Sequence, residues 1–194
     1  MLRKPNTASR APGSRQFGYT LGELLTSLSV VSILGAIAIP GMQDIMLNNR
    51  RVSITNEFSY ALQMARSEAI TRNQRVTVCA STSGVSCASS DYWAQGWIIF
   101  NDADRNRQVS SDEDVIAVFE GNESTSIRPI GVNASLSYRP NGRMMGDTTA
   151  VNSAEFVFCD RRGADHSRVL IVAANGRPQV STTDANGAQP TCSS

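Results

Sequence analysis

Asp102, Asp104, Asn106, Gln108, Ser110 and Glu113 fall at positions 1, 3, 5, 7, 9 and 12 of a calcium loop of the EF-hand type. At that spacing carboxylate, amide and hydroxyl oxygens converge on a hard cation. The sixth position argues against it. A glycine is needed there for the sharp turn, and this chain has Arg107, which brings a positive charge as well. The flanking segments also read as strands where helices are required. These residues therefore predict a solvated acidic hairpin with no resident metal.

A second set, Arg161, Arg162, Arg168 and Arg177, falls in the last strand segments and predicts a local positive edge able to meet phosphates. The formal net charge is only +1, so the chain as a whole is no general polyanion binder. His166 is the single histidine, which disfavours Ser-His-Asp triads and His-rich metal sites. The remaining acids and serines stand in no recognisable catalytic arrangement, and neither a phosphate-cradling glycine loop nor a nucleophile elbow is present. Trp93 and Trp97 have the ring type that stacks on sugars, but their placement around Gly96 in an apolar run points to core packing. The expectation is a non-enzymatic protein without a cofactor.

The elements that carry these residues follow from patterning. From Leu24 to Ile39 the chain reads LLTSLSVVSILGAIAI, with no charge. With Tyr19 to Gly22 before it and Pro40 to Met42 after it, the run reaches the roughly 20 residues that span a bilayer as a helix. Arg3, Lys4, Arg10 and Arg15 precede it without an acid, so the remainder of the chain is acidic on balance. An ordinary signal peptide fits poorly, because the basic segment is long, no small-x-small cleavage site closes the run, and Glu23 sits near its start. Past Pro40 the pattern turns amphipathic. Met42, Ile45, Met46, Val52, Phe58, Leu62, Ala65 and Ala69 recur mostly at steps of three or four. This predicts helix to about Asn73 with a kink at Pro40-Gly41. From Arg75 the segments VTVCAS, GWIIF, DVIAVFEG, TSIRPI, SLSYRP, AEFVFC, RVLIVAANG and RPQV are short, rich in β-branched and aromatic residues, and separated by turn formers. Asn141-Gly142 and Asn175-Gly176 are hairpin turn signals. Helix first and strands afterwards predicts an α+β fold, a long N-terminal helix packed on an antiparallel β-sheet head.

The residues Gly18-Tyr19-Thr20-Leu21-Gly22-Glu23-Leu24-Leu25 resemble the processing motif of type IV pilins and type II secretion pseudopilins. Two departures are Tyr19 in place of the usual phenylalanine and Gly22 in place of an aliphatic residue. The head segments NNRRVSITNEFSYALQMARSEAITRNQRVTVC, GWIIFNDADRNRQVSSDEDVI and FVFCDRRGADHSRVLIVAANGRPQV resemble the minor pilins and pseudopilins of the GspH/FimT group, and the resemblance covers nearly all of the chain after the leader. It implies a pilin-like fold, cleavage after Gly18 by a prepilin peptidase, and methylation of Tyr19 as the new amino terminus. It also implies that Glu23 pairs with the N-terminal amine of a neighbouring subunit, and that Pro40 kinks the helix. The implied partners are other major and minor pilins or pseudopilins, at the tip or initiation complex of a type IV pilus or type II secretion pseudopilus.

The expected organisation is a cleaved basic leader over 1–18, a transmembrane and assembly segment over 19–41, an amphipathic half-helix over 42–74, and a periplasmic β-rich head with a C-terminal loop over 75–194. Positive flanks stay cytoplasmic, so the expected location is the inner membrane, single-pass with the head in the periplasm, and then the filament. Cys79, Cys87, Cys159 and Cys192 suit that oxidising compartment. Three pairings are possible. Cys79 with Cys87 closes a short Ser/Gly-rich loop and Cys159 with Cys192 ties down the tail, so these are favoured. A four-cysteine zinc site is the rival, but no C-x-x-C occurs. Some FimT proteins bind DNA through a C-terminal Gly-Arg-x-Arg motif, of which Gly176-Arg177-Pro178-Gln179 keeps only the first arginine. A DNA-binding subunit for uptake is therefore the alternative expectation, and a membrane-anchored periplasmic enzyme a third.

Overall fold

The computed structural model describes residues 18–88, 92–122, 124–146 and 153–192. Its elements are helix α1 (Leu21–Arg72) and strands β1 (Val76–Ala80), β2 (Gly96–Asn101), β3 (Val115–Glu120), β4 (Ser126–Ile130), β5 (Ser135–Tyr138), β6 (Met144–Gly146), β7 (Ser153–Cys159), β8 (Arg168–Ala173) and β9 (Pro178–Ser181). The chain divides after Asp44 into two compact units, with α1 contributing to both. The leader expected over 1–18 lies outside the described residues except for Gly18.

In the first unit, α1 opens with a capping box. The Glu23 N–H donates to Thr20 Oγ1 at 3.3 Å, and the Thr20 N–H donates to Glu23 Oε2 at 3.0 Å, satisfying donors left over at the helix start. The hydroxyls of Thr26, Ser29 and Ser32 donate to the carbonyls of Gly22, Leu25 and Leu28 at 3.1, 2.7 and 2.8 Å. These polar interruptions of the apolar run are thus satisfied within the helix itself. Helical backbone continues through Pro40 and Gly41, the pair expected to kink it.

The second unit is built on the rest of α1. That helix stops where Asn73 takes a left-handed φ of 52°. Its N–H donates to the Ile70 carbonyl and the Gln74 N–H to the Ala69 carbonyl, each at 3.3 Å, which is a Schellman closure with asparagine in the glycine position. Two antiparallel sheets follow, one ordered β3-β2-β1-β5-β6 and the other β4-β7-β8-β9. The two Asn-Gly turns set registers. Tyr138 pairs with Met144 across the first and Val172 with Pro178 across the second. They also stack on each other, because a Cβ on Gly176 (φ 78°) would lie 2.1 Å from the Gly142 carbonyl oxygen.

Helix α1 and both sheets share one core. Ile54, Phe58, Ala61, Leu62, Ala65 and Ala69 of α1 meet Val78, Trp97, Ile99 and Leu136 of the first sheet and Phe156, Phe158, Leu170 and Val172 of the second. At its centre the Phe58 ring lies 5.5, 4.9, 4.7 and 5.8 Å from the rings of Trp93, Trp97, Phe156 and Phe158. Burying such a ring is worth roughly 2–3 kcal/mol before the aromatic contacts are added. Both tryptophans are fully buried. Trp93 reaches its place from a 3-10 turn, where its Nε1–H donates to the Asn133 carbonyl at 2.8 Å. Ile45, Met46 and Val52, expected in the apolar stripe of this half of α1, are exposed; burial begins at Arg51 and Ile54, where the sheets first cover the helix. The outer sheet faces carry smaller clusters, Cys79, Ile98 and Phe100 on one and Val157, Cys159 and Val169 on the other.

Candidate assembly helix and charged sites

The surface of α1 in the first unit is apolar on every side. Leu21, Leu24, Leu25, Leu28, Leu34 and Ile37 are all more than half exposed within that unit. The helix is long and apolar enough to cross a membrane. Gly18 and Tyr19 precede it, outside the helix and exposed. Glu23 stands one turn inside, its carboxylate also accepting from the Thr20 hydroxyl at 3.1 Å. The T-x-x-E spacing that marks a capping box is legible in the sequence, so Glu23 has a local role beside the one implied by resemblance.

The cysteines form two disulfides, Cys79 with Cys87 and Cys159 with Cys192, with Cα separations of 5.6 and 5.9 Å. The first closes the loop after β1. The second fastens the tail across the outer face of the second sheet, helped by Arg128, which donates to the Thr191 carbonyl at 2.7 Å.

The acidic loop after β2, expected as a solvated acidic hairpin, is exposed at Asp104 and Asn106 and buried towards its two ends. Asp102, Asp104 and Glu113 bring ligand atoms within 4.8 Å of one another, but Asp102 is fully buried and Glu113 nearly so. The reason is local hydrogen bonding. Asp102 accepts from the Thr77 hydroxyl at 2.7 Å and the Arg107 amide at 3.2 Å, while Glu113 accepts from the amides of Asp104 at 3.3 Å and Ser110 at 3.2 Å. The Asn106 amide, with Ser110 and other loop donors, holds the Asp104 carboxyl below its usual range. Arg107 adopts a φ of 64°, the conformation a glycine would supply at that turn. The loop's own backbone and hydroxyls thus meet its carboxylates.

The four arginines do not form one edge. Arg168 starts β8, whereas Arg177 follows its end beside the stacked Asn-Gly turns. Arg162 folds back onto Asp160, its Nη2 lying 2.6 Å from the carboxylate, and Arg168 Nη1 donates to the Ser167 carbonyl at 3.3 Å. Arg161 is exposed beside them. Hydrogen bonds from Arg162, together with its charge and that of Arg51, hold the Asp160 carboxyl below the usual range despite burial. Arg51 was not legible as a partner in the sequence. It is nearly buried on α1 and lies 3.6 Å from Asp160.

Three kinds of comparison bear on this architecture. The family model described as type II transport protein GspH matches residues 55–176. Among solved structures, the chain is similar to the type IV minor pilin FimU of Pseudomonas aeruginosa in one crystal form, with a TM-score of 0.52 and 22% identity over 75% of this chain and 96% of that one. A second crystal form of FimU gives a TM-score of 0.50 and 21% identity over 73% and 98%. The minor pseudopilin EpsH of the Vibrio cholerae type 2 secretion system is a more distant likeness, with a TM-score of 0.44 and 11% identity over 65% and 91%. No curated protein matches closely enough to lend the chain a function. The family match spans more than half of the sequence and includes α1 from Thr55, strands β1 to β8 and the stacked turns; the chain belongs to the GspH family, a minor pilin or pseudopilin of the GspH/FimT type.

Proposed function

We propose that this protein is an assembly subunit held in the inner membrane by the first unit of α1, with its head in the periplasm. A prepilin peptidase trims it after Gly18. Its apolar helix then leaves the lipid and packs among other pilins or pseudopilins, in the tip or initiation complex of a type IV pilus or a type II secretion pseudopilus. The observation that carries this reading is the exposed helix of the first unit, apolar on every face. Such a surface is stable either in lipid or against like helices, and filament assembly exchanges one for the other. The paired cysteines agree with an oxidising compartment.

Glu23 is assigned the registry contact. A carboxylate at the edge of a hydrocarbon segment is costly until a cation meets it, and the N-terminal amine of a neighbouring subunit supplies one. The capping hydrogen bonds from Thr20 hold the carboxylate at the helix start while that amine approaches. The test compares Glu23→Ala with the parent chain for leader removal and for incorporation into sheared filaments. Normal trimming with strongly reduced incorporation is expected. Wild-type incorporation would refute the role.

The nucleic-acid alternative draws less support, because Arg162 and Arg168 are engaged around Asp160 and Ser167 and Arg177 lies beyond the far end of β8.

A further inference from the structure

The end of α1, the loop after β2 and the turn after β5 border a half-open cavity of about 520 Å³ whose lining, among the described residues, includes Asn73, Gln74, Arg75, Arg105 and Arg139, and no acid. Arg75 and Arg139 both donate to the Met145 sulfur, at 4.0 and 3.3 Å, so two like charges share one weak acceptor. Arg75 also donates to the Arg105 carbonyl at 3.3 Å. The carboxylate of Asp102 lies 3.9 Å from Arg75. It is fully buried and already accepts from Thr77 and Arg107, so it answers Arg75, while Arg105 and Arg139 reach solvent. Among the described residues neither Arg105 nor Arg139 has a carboxylate partner.

Two further features converge here. Burial lowers the pKa of Arg75, and the fields of Arg107, Arg105 and Arg139 add to that effect, with Asp102 alone opposing them. The described non-glycine residues with positive φ are Asn73, Arg105 and Arg107, at 52°, 67° and 64°. Two of them, Asn73 and Arg105, line the cavity. Asn73 is explained as the helix closure. Arg105 takes this conformation, which is rare for a residue with a Cβ, without closing a helix.

We propose that this cavity binds a phosphate-type oxyanion, free or carried as a phosphomonoester headgroup. A carboxylate fills one guanidinium fork, whereas a tetrahedral oxyanion has oxygens for three and enough charge to answer the surplus. The side-chain amides of Asn73 and Gln74 add neutral donors at the rim.

The test is calorimetric titration of the full chain in an uncharged detergent, at an ionic strength held constant with chloride. Inorganic phosphate and glycerol phosphate are the two probes. Saturable one-to-one binding is expected. Tighter binding of glycerol phosphate assigns the headgroup, and equal or tighter binding of phosphate assigns the free ion. Arg139 is exposed, so Arg139→Ala leaves the fold intact; it is expected to weaken binding about tenfold. Arg139→Lys should retain part of the affinity, and Arg161→Ala, placed elsewhere, all of it. The absence of saturable binding to the parent chain, or unchanged affinity in both Arg139→Ala and Arg105→Gln, overturns the proposal.

Discussion

The guanidinium of Arg51, on α1, stands 3.6 Å from the carboxylate of Asp160, just past β7, with side chains 4% and 1% exposed. A charge pair inside the head thus fastens the helix to the second sheet. Arg162 closes over it, donating to Asp160 and also to Asn48 one turn earlier on α1, at 3.0 Å. Two buried charges at this distance stabilise little relative to well-packed apolar residues, but removing one partner leaves the other stranded.

Asp160→Asn is therefore expected to destabilise the head by about 3–5 kcal/mol. Arg51→Met, which removes the buried cation and keeps apolar volume, should cost much less. Urea unfolding of the fragment from Ile45 to Ser194 measures both. Equal losses would show that packing of the Arg51 stem matters more than the charge.

Glu155 has the opposite electrostatics. It lies on β7 under the tail, where burial and then the Asp184 charge push its pKa up, against a hydrogen bond from the Ala185 amide. A carboxyl whose folded pKa is raised binds its proton more tightly in the folded state. The head accordingly loses stability as pH rises through the unfolded value of about 4.3 toward the folded one. Glu155→Gln should stabilise the head at pH 7 and make no difference near pH 4. Asp160 carries the reverse sign; its contribution is present above about pH 4 and lost as pH falls through its lowered value. Urea unfolding at the two pH values separates them, because Asp160 is common to Glu155→Gln and its parent.

The disulfides enclose loops of different size, with sequence separations of 8 and 33. Loop-closure entropy gives about 2.5 kcal/mol for the first and about 3.7 kcal/mol for the second. Cys192→Ser with Cys159→Ser should thus lower thermal stability more than loss of the Cys79–Cys87 bond. It should also open residues 182–192 to limited proteolysis. A larger loss from the shorter loop would mean that the loop after β1 is held by its bond alone.

Gly176 has a φ of 78° and no room for a Cβ against the Gly142 carbonyl. Gly176→Ala should cost more than 1 kcal/mol, with the damage confined to the two stacked turns. Amide hydrogen exchange tests this. Slow exchange retained at β6 and β9 would show that the turns separate without consequence.

The strands were legible wherever β-branched runs met turn formers, and the eight expected segments correspond to eight strands. β6 was not, because Met144, Met145 and Gly146 have little intrinsic strand character and are paired only because the Asn141-Gly142 turn returns the chain along β5. The inward rotation of Asp102 was hidden for a similar reason, since the hydroxyl that receives it, on Thr77, comes from a different strand. Periodicity along α1 announced an apolar face but not where the sheets begin to cover it, so Ile45, Met46 and Val52 read as core and lie exposed. The Arg51–Asp160 pair joins distant stretches of sequence that no local pattern links.

Retention of the apolar helix after leader removal is read most directly by mass spectrometry of the N-terminal peptide, taken from protein recovered in membrane and sheared-filament fractions. A first residue at Tyr19, carrying one methyl group on its amine, is expected in both fractions. A first residue beyond Ile39, or recovery only as a species never embedded in the membrane, would contradict assembly through this helix.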